Sequence, residues 1–271
     1  APGGETVVFD LLGHIYEMPA EGGEARALTE GRSWNMLPRY GPDGRHIAFT
    51  SDRSGSRDLW VLHRETGELR NVSDRPENVH RPSWSRDGRY LYGAIMKDVP
   101  TTAAGGFIQG MRYNLHGGSQ ALGEIGAPVN QFQEAPDLGL VLFERLAGPL
   151  PQEAARIRAY DTTSGEVTTF LERRGGAFNP TVSPDGRRLA YQHRDEQETV
   201  LVVRDLETLE ERVVLRGLDR DRQETVFHSL GAAPNMAWGP GGREIYLALG
   251  GHLRAVDVAT GDRKSTRLNS S

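Results

Sequence analysis

Apolar residues in this chain come in short bursts between polar turn residues. Ile47-Ala48-Phe49, Tyr90-Leu91-Tyr92, Leu189-Ala190-Tyr191 and Ile245-Tyr246-Leu247 are examples. Bursts of that length suit strands, and no long window carries helical periodicity. Each burst follows a similar phrase: Gly41-Pro42-Asp43-Gly44-Arg45, Ser85-Arg86-Asp87-Gly88-Arg89, Ser183-Pro184-Asp185-Gly186-Arg187 and Gly239-Pro240-Gly241-Gly242-Arg243. Proline presets φ, aspartate bonds its own backbone and glycine accepts positive φ, so the phrase predicts a tight turn. In the best-kept copy the pattern predicts strands over 36–40, 46–50, 58–63 and 68–72, joined by polar turns. Segments 156–160, 200–205 and 252–257 match the third of these strands.

Two eroded copies fill the gaps: Pro2-Gly3-Gly4 before Val7-Val8-Phe9, and Pro136-Asp137 before Leu140-Val141-Leu142-Phe143. Aligned on residues 3, 43, 87, 137, 185 and 241, the copies step by 40, 44, 50, 48 and 56. Short strands repeating with a period in the forties predict propeller blades. The expected fold is therefore all-β: a β-propeller of about six four-stranded blades spanning residues 1–261. The first blade is expected to lack its innermost strand and the last its outermost. Abundant glycine (33) and proline (15) agree with many turns. The net charge of −5 comes without a basic stripe, so no nucleic-acid partner is expected. No apolar run reaches the ~18 residues of a membrane span. The absence of cysteine removes thiol chemistry and is compatible with a periplasmic location.

Candidate chemistry is sparse. Asp43, Asp87 and Asp185 form a repeated set of carboxylates for metal binding or catalysis, or else shape hairpin turns. The glycine after each favours the turn. Asp52 and Arg53 are read in the same way, as ties within a loop. The innermost strands begin near Asn35, His80-Arg81, Gln133-Glu134, Asn179 and Asn235. Such a ring of polar groups at a channel mouth would hold a peptide end or a sugar, or is simply solvated. Two insertions stand out, 96–106 and 217–233, the second containing Gln223, Glu224 and His228. Each is a lid, a contact with another domain, or a plain surface loop. The eight histidines make no His-x-His and no His-Glu-x-x-His. There is also no Gly-x-Ser-x-Gly elbow, phosphate loop or dinucleotide fingerprint. No catalytic residue or metal ligand is assigned.

The repeat resembles the TolB-like, WD-type propeller repeat: Ser-Pro-Asp-Gly-Arg, a strand, Ser-Asp-Arg, a strand, then Thr-Gly. Here Ser183 to Arg187, Ser51-Asp52-Arg53 and Thr66-Gly67 carry it. Leu138 between Asp137 and Gly139, and Gly241 in place of aspartate, depart from it. Phe9-Asp10-Leu11-Leu12-Gly13-His14-Ile15-Tyr16, Gly22-Gly23-Glu24-Ala25, Leu28-Thr29, Asp221-Arg222-Gln223-Glu224-Thr225 and Ala237-Trp238-Gly239-Pro240 extend the likeness. They resemble amidohydrolases that carry an N-terminal TolB-like propeller. That resemblance implies a non-catalytic propeller that docks on a C-terminal hydrolase domain and gates access to it. It implies a divalent metal in that domain, no cofactor in this segment, and a periplasmic or secreted protein. A stand-alone TolB-like module binding a cell-envelope protein is one alternative. The propeller of a prolyl-oligopeptidase-type serine peptidase is another. Residues 263–271 resemble a translated sequencing adapter, a natural tail being the other reading. Segment 262–271 is expected to be unstructured, and the chain to be a piece of a longer one.

Overall fold

The computed structural model describes residues 1–96, 108–124, 132–145, 155–196, 198–218, 236–249 and 252–267. The insertion at 96–106 and the residues Gln223, Glu224, His228 and Asn235 lie almost wholly outside that set. The described residues form two compact units, divided after Phe132.

The first unit holds three antiparallel sheets. One is three-stranded: β1 (Thr6–Leu11), β2 (His14–Pro19) and β3 (Arg26–Ala27). The next comprises β4 (Asn35–Tyr40), β5 (His46–Ser51), β6 (Asp58–His63) and β7 (Leu69–Asn71). The third comprises β8 (Asn78–Trp84), β9 (Tyr90–Met96), β10 (Ile108–Asn114) and β11 (Ser119–Glu124).

The second unit repeats the plan. Its sheets are β12 (Phe132–Ala135, of which Phe132 is counted with the first unit), β13 (Leu140–Arg145), β14 (Arg156–Asp161) and β15 (Val167–Leu171), then β16 (Phe178–Val182), β17 (Arg188–Asp195), β18 (Glu198–Asp205) and β19 (Glu211–Leu218). The last sheet has β20 (Met236–Trp238), β21 (Glu244–Leu249), β22 (His252–Asp257) and β23 (Arg263–Arg267). Each sheet is a meander in chain order, the topology of a propeller blade. The described residues contain no α-helix.

The turns behave as their chemistry requires. Asp43 Oδ1 accepts the N–H groups of Arg45 (2.9 Å) and His46 (3.1 Å), and Gly44 follows at φ 67°. Asp87 accepts from Arg89 N–H at 3.0 Å and Ser85 Oγ at 2.8 Å; Asp185 accepts from Arg187 N–H at 3.1 Å. These carboxylates shape hairpins, as the following glycines predict.

Second and third strands carry the apolar bursts. In the first unit Ala48, Leu59, Val61, Val79, Leu91, Ile95, Met111 and Tyr113 form one buried cluster. In the second, one cluster joins Leu142 and Ile157 to Leu189, Tyr191 and Val202. Another joins Leu201 and Leu215 to Ile245 and Val256. Each large side chain so buried contributes about 1.5–3 kcal/mol, which holds neighbouring sheets together within a unit.

The first sheet has three strands, as expected. In the last sheet the repeat itself supplies three. The fourth position, against β22, is taken by Arg263–Arg267. This corrects the expectation that 262–271 is wholly unstructured. The outer edge of β22 offers unpaired N–H and C=O groups, and a proline-free extended segment satisfies them whatever its side chains.

Candidate functional site

The innermost strands carry a device that recurs in both units. The ladder of β4 shifts between Met36 and Arg39, that of β8 between His80 and Ser83, and that of β16 between Phe178 and Thr181. At each break a non-glycine residue takes positive φ: Leu37 (56°), Arg81 (63°) and Asn179 (54°). Each is followed by proline, Pro38, Pro82 or Pro180. Proline cannot donate to a ladder and restricts the residue before it, so the strand bulges there. Positive φ at such residues costs of order 1–3 kcal/mol, and surrounding contacts must hold it.

Those contacts are visible. The freed N–H of Leu37 donates to Asp10 Oδ1 (3.1 Å), and that of Asn179 to Glu144 Oε2 (2.8 Å). Trp84 Nε1–H donates to the Arg39 carbonyl, and Trp238 Nε1–H to the Thr181 carbonyl, both at 3.0 Å. A carboxylate from one sheet and an indole from another thus brace the β4 and β16 bulges.

The candidate residues divide accordingly. Asn35 is fully buried and its amide is consumed. Nδ2 donates to the carbonyls of Gly13 (2.8 Å) and Ser33 (3.0 Å), while Oδ1 accepts from Ser51 Oγ and Arg53 Nη2, both at 2.8 Å. Arg53 then lies over the rings of Phe49 and Trp60 at 5.5 and 5.0 Å. Asp52 accepts the Trp34 N–H at 2.8 Å. Asp52 and Arg53 therefore tie a loop. Gln133 Oε1 accepts the Val182 N–H at 3.2 Å and links β12 to β16. Glu134 is half-buried and Asn179 buried. His80 and Arg81, both half-buried, stand together on β8. Burial, then the charges of Arg57 and Arg81, lowers the His80 pKa to about 4, so its imidazole is neutral at pH 7.

Other polar centres carried no sequence signal of their own. Asp58 is buried and accepts from Ser54 Oγ (2.6 Å), Ser73 Oγ (2.6 Å), Asn71 Nδ2 (3.1 Å) and Arg75 N–H (3.2 Å). Burial opposes its ionisation, but these donors outweigh burial and hold its pKa below the usual carboxylate value. Glu17 is buried among the Tyr40 hydroxyl (2.6 Å), Arg26 (2.9 Å) and Arg64 (2.5 Å). Glu211 gathers Tyr191 (2.8 Å), Arg173 (2.9 Å) and Arg204 (3.1 Å). It lines an open cleft of about 410 Å³ with Leu171, Glu172, Arg173, Arg204 and Leu209. Among the described residues no three His, Asp or Glu side chains come together as metal ligands.

An apolar patch is exposed in the first unit. Leu12 (83% exposed) takes positive φ at the β1–β2 turn, beside Leu11. Trp34 (54% exposed) lies over the next residue: a Cβ on Gly13 would stand 3.1 Å from its ring. No helix among the described residues is long and apolar enough to cross a membrane.

Sequential antiparallel meanders on one repeated turn, with a braced inner strand in each unit, define a β-propeller protein. Known proteins agree. TolB from Acinetobacter baumannii is similar with a TM-score of 0.73 at 16% identity, over 93% of this chain and 59% of that one. An oligogalacturonate lyase in complex with manganese is similar with a TM-score of 0.68 at 18% identity, over 97% of this chain and 74% of that one. At such identities the likeness shows the fold, which is that of the TolB propeller repeat. No protein-family model matches. In sequence, 189 residues (65% of this chain) are 26% identical to an uncharacterized peptidase, YuxL, of Bacillus subtilis strain 168. The match takes in 24% of that protein, so this chain spans about a quarter of the relative's length.

Proposed function

We propose that this chain is the non-catalytic propeller of a larger TolB-like hydrolase, docking on the hydrolase domain and gating access to it. The observation that carries this reading is the sequence match. A chain with a propeller fold aligns with a quarter of a protein named as a peptidase. In this reading the reacting groups, and any divalent metal, belong to the other domain. The exposed Leu11, Leu12 and Trp34 patch offers a docking surface of suitable chemistry. The resemblance of the Phe9 to Tyr16 segment points to an amidohydrolase partner, and the relative's name points to a peptidase. A periplasmic or secreted location goes with either.

The second reading is a stand-alone TolB-like module that binds an envelope protein. The TolB likeness over 93% of the chain favours it.

Reading the gene beyond the codon for Gly261, and assaying its whole product on amide and ester substrates, separates these readings. A hydrolase domain whose activity is missing from residues 1–261 alone supports the first. Loss of activity on chelation then marks an amidohydrolase, and loss to a serine-directed fluorophosphonate marks a peptidase. A stop codon soon after the last strand supports the module. Hydrolysis by residues 1–261 alone overturns both.

A further inference from the structure

Three arginines converge on the inner strand β8, and this convergence is independent of whether a hydrolase domain follows. Arg39 lies on β4, which packs beside β8, and its carbonyl is held by Trp84 Nε1–H at 3.0 Å. Arg57, in the turn before β6, is pinned to the start of β8 through two backbone bonds. Its carbonyl accepts the Val79 N–H at 2.7 Å, and its N–H donates to Asn78 Oδ1 at 3.0 Å. Arg81 stands at the bulge of β8 itself, next to His80. Arg26 and Arg64 share Glu17. Arg39 and Arg57, by contrast, have no carboxylate partner within salt-bridge distance among the described residues. Among the described residues the Arg39 guanidinium donates to the Pro38 carbonyl at 3.1 Å.

Like charges drawn together at a half-buried strand raise the free energy of the empty site. Burial first, and then the positive charge of Arg81, lowers the Arg39 pKa, with Asp10 acting the other way. This concentration sits in a chain of net charge −5. An anion relieves the repulsion, and planar guanidinium donors match a carboxylate. The Asp10 carboxylate beside Arg39 disfavours a dianion. A neutral His80 adds a hydrogen-bond donor without a further charge.

We propose that Arg39, Arg57, His80 and Arg81 form a receiving site for the carboxylate of a small ligand. Two sources share that chemistry, the free C-terminus of a peptide and an acidic sugar.

Calorimetric titration of the whole chain with tetra-alanine, its C-terminal amide, galacturonate and inorganic phosphate tests this. The expected result is binding of tetra-alanine or galacturonate, at least tenfold weaker in Arg39→Gln and in Arg57→Gln. Loss of binding by the amide assigns a peptide terminus; binding of galacturonate alone assigns an acidic sugar. Arg57 is exposed, so its variant is expected to melt like the parent and keeps the test open should Arg39→Gln misfold. The proposal is overturned if no carboxylate binds, if phosphate binds and carboxylates do not, or if both variants bind as the parent does.

Discussion

Gly93 gives the sharpest test of how the first unit is packed. It lies in β9, and its φ is one that any residue can adopt. A Cβ built there would stand 2.7 Å from Leu59 Cδ1, 3.0 Å from Val79 Cγ1 and 3.4 Å from the His80 carbonyl. Leu59 and Val79 are both fully buried, within one cluster. Ordinary carbon contacts lie near 3.5–4.0 Å, so Gly93→Ala must open about 1 Å against Leu59. Overpacking of that kind costs about 1–3 kcal/mol. The alanine also restricts the unfolded chain, which returns about 0.4–1 kcal/mol. The expected net loss is about 1–2 kcal/mol.

Urea unfolding followed by tryptophan fluorescence measures this, with Trp60 and Trp84 as reporters. The unfolding midpoint should fall and the slope stay constant. Adding Leu59→Ala supplies the decisive control. Truncating Leu59 removes the atom at 2.7 Å, so the double variant should lose less than the sum of its single changes. A Gly93→Ala chain as stable as the parent, or strict additivity with Leu59→Ala, would refute the packing argument.

Three further predictions follow from the polar centres and the exposed patch. Asp58→Asn should cost about 3 kcal/mol at pH 7, because it removes the charge that gathers five donors. The native Asp58 pKa lies below its unfolded value, so its contribution is complete above the ordinary carboxylate range. That contribution is lost as pH falls through the native value, and an acid-unfolding series on parent and variant should show the difference. His80 is lowered from 6.5 to about 4, so the unfolded chain binds the extra proton between those values and stability falls as pH falls. Replacing His80 by Gln should flatten thermal melting against pH across that window. Leu12→Ser with Trp34→Ser should move stability by under about 0.5 kcal/mol, since both side chains are exposed. In the whole gene product the same pair should loosen the propeller from its hydrolase domain in limited proteolysis.

How much of this was legible in the sequence depends on the range of the interactions. The turns were, because Asp43 and Asp87 bond N–H groups two or three residues on and Gly44 supplies the φ; nothing distant is needed. Strand β6 falls where the pattern places it, at Asp58–His63, because alternation and turn both bound it. Strand β23 was not legible, since it forms on the bonding capacity of a neighbour's edge rather than on its own pattern. Asn35 stands out in the sequence for its polarity and position. Its partners Gly13, Ser51 and Arg53 turn that polarity inward, and only the sheet-to-sheet arrangement reveals this.

The inner-strand bulges lie between these extremes. Leu37-Pro38, Arg81-Pro82 and Asn179-Pro180 are visible in the sequence, and proline inside a strand signals an edge or a bulge. What the dipeptide does not disclose is the brace. Asp10 reaches Leu37 across 27 positions, and Glu144 reaches Asn179 across 35. Bulge and brace are mutually dependent. Without the carboxylate the freed N–H is left unpaired; without the bulge the buried Glu144 carboxylate loses a backbone donor. Arg81 stands at the β8 bulge next to His80, and β4, which carries Arg39, packs beside β8. Strained backbone and converging charge therefore occur at one place in the first unit. Strain that serves only to join two strands has no need beside it of Arg39 and Arg57, which have no carboxylate partner within salt-bridge distance among the described residues. Their coincidence is the physical reason for seeking a ligand there, ahead of the cleft around Glu211, where Arg173 and Arg204 already have their anion.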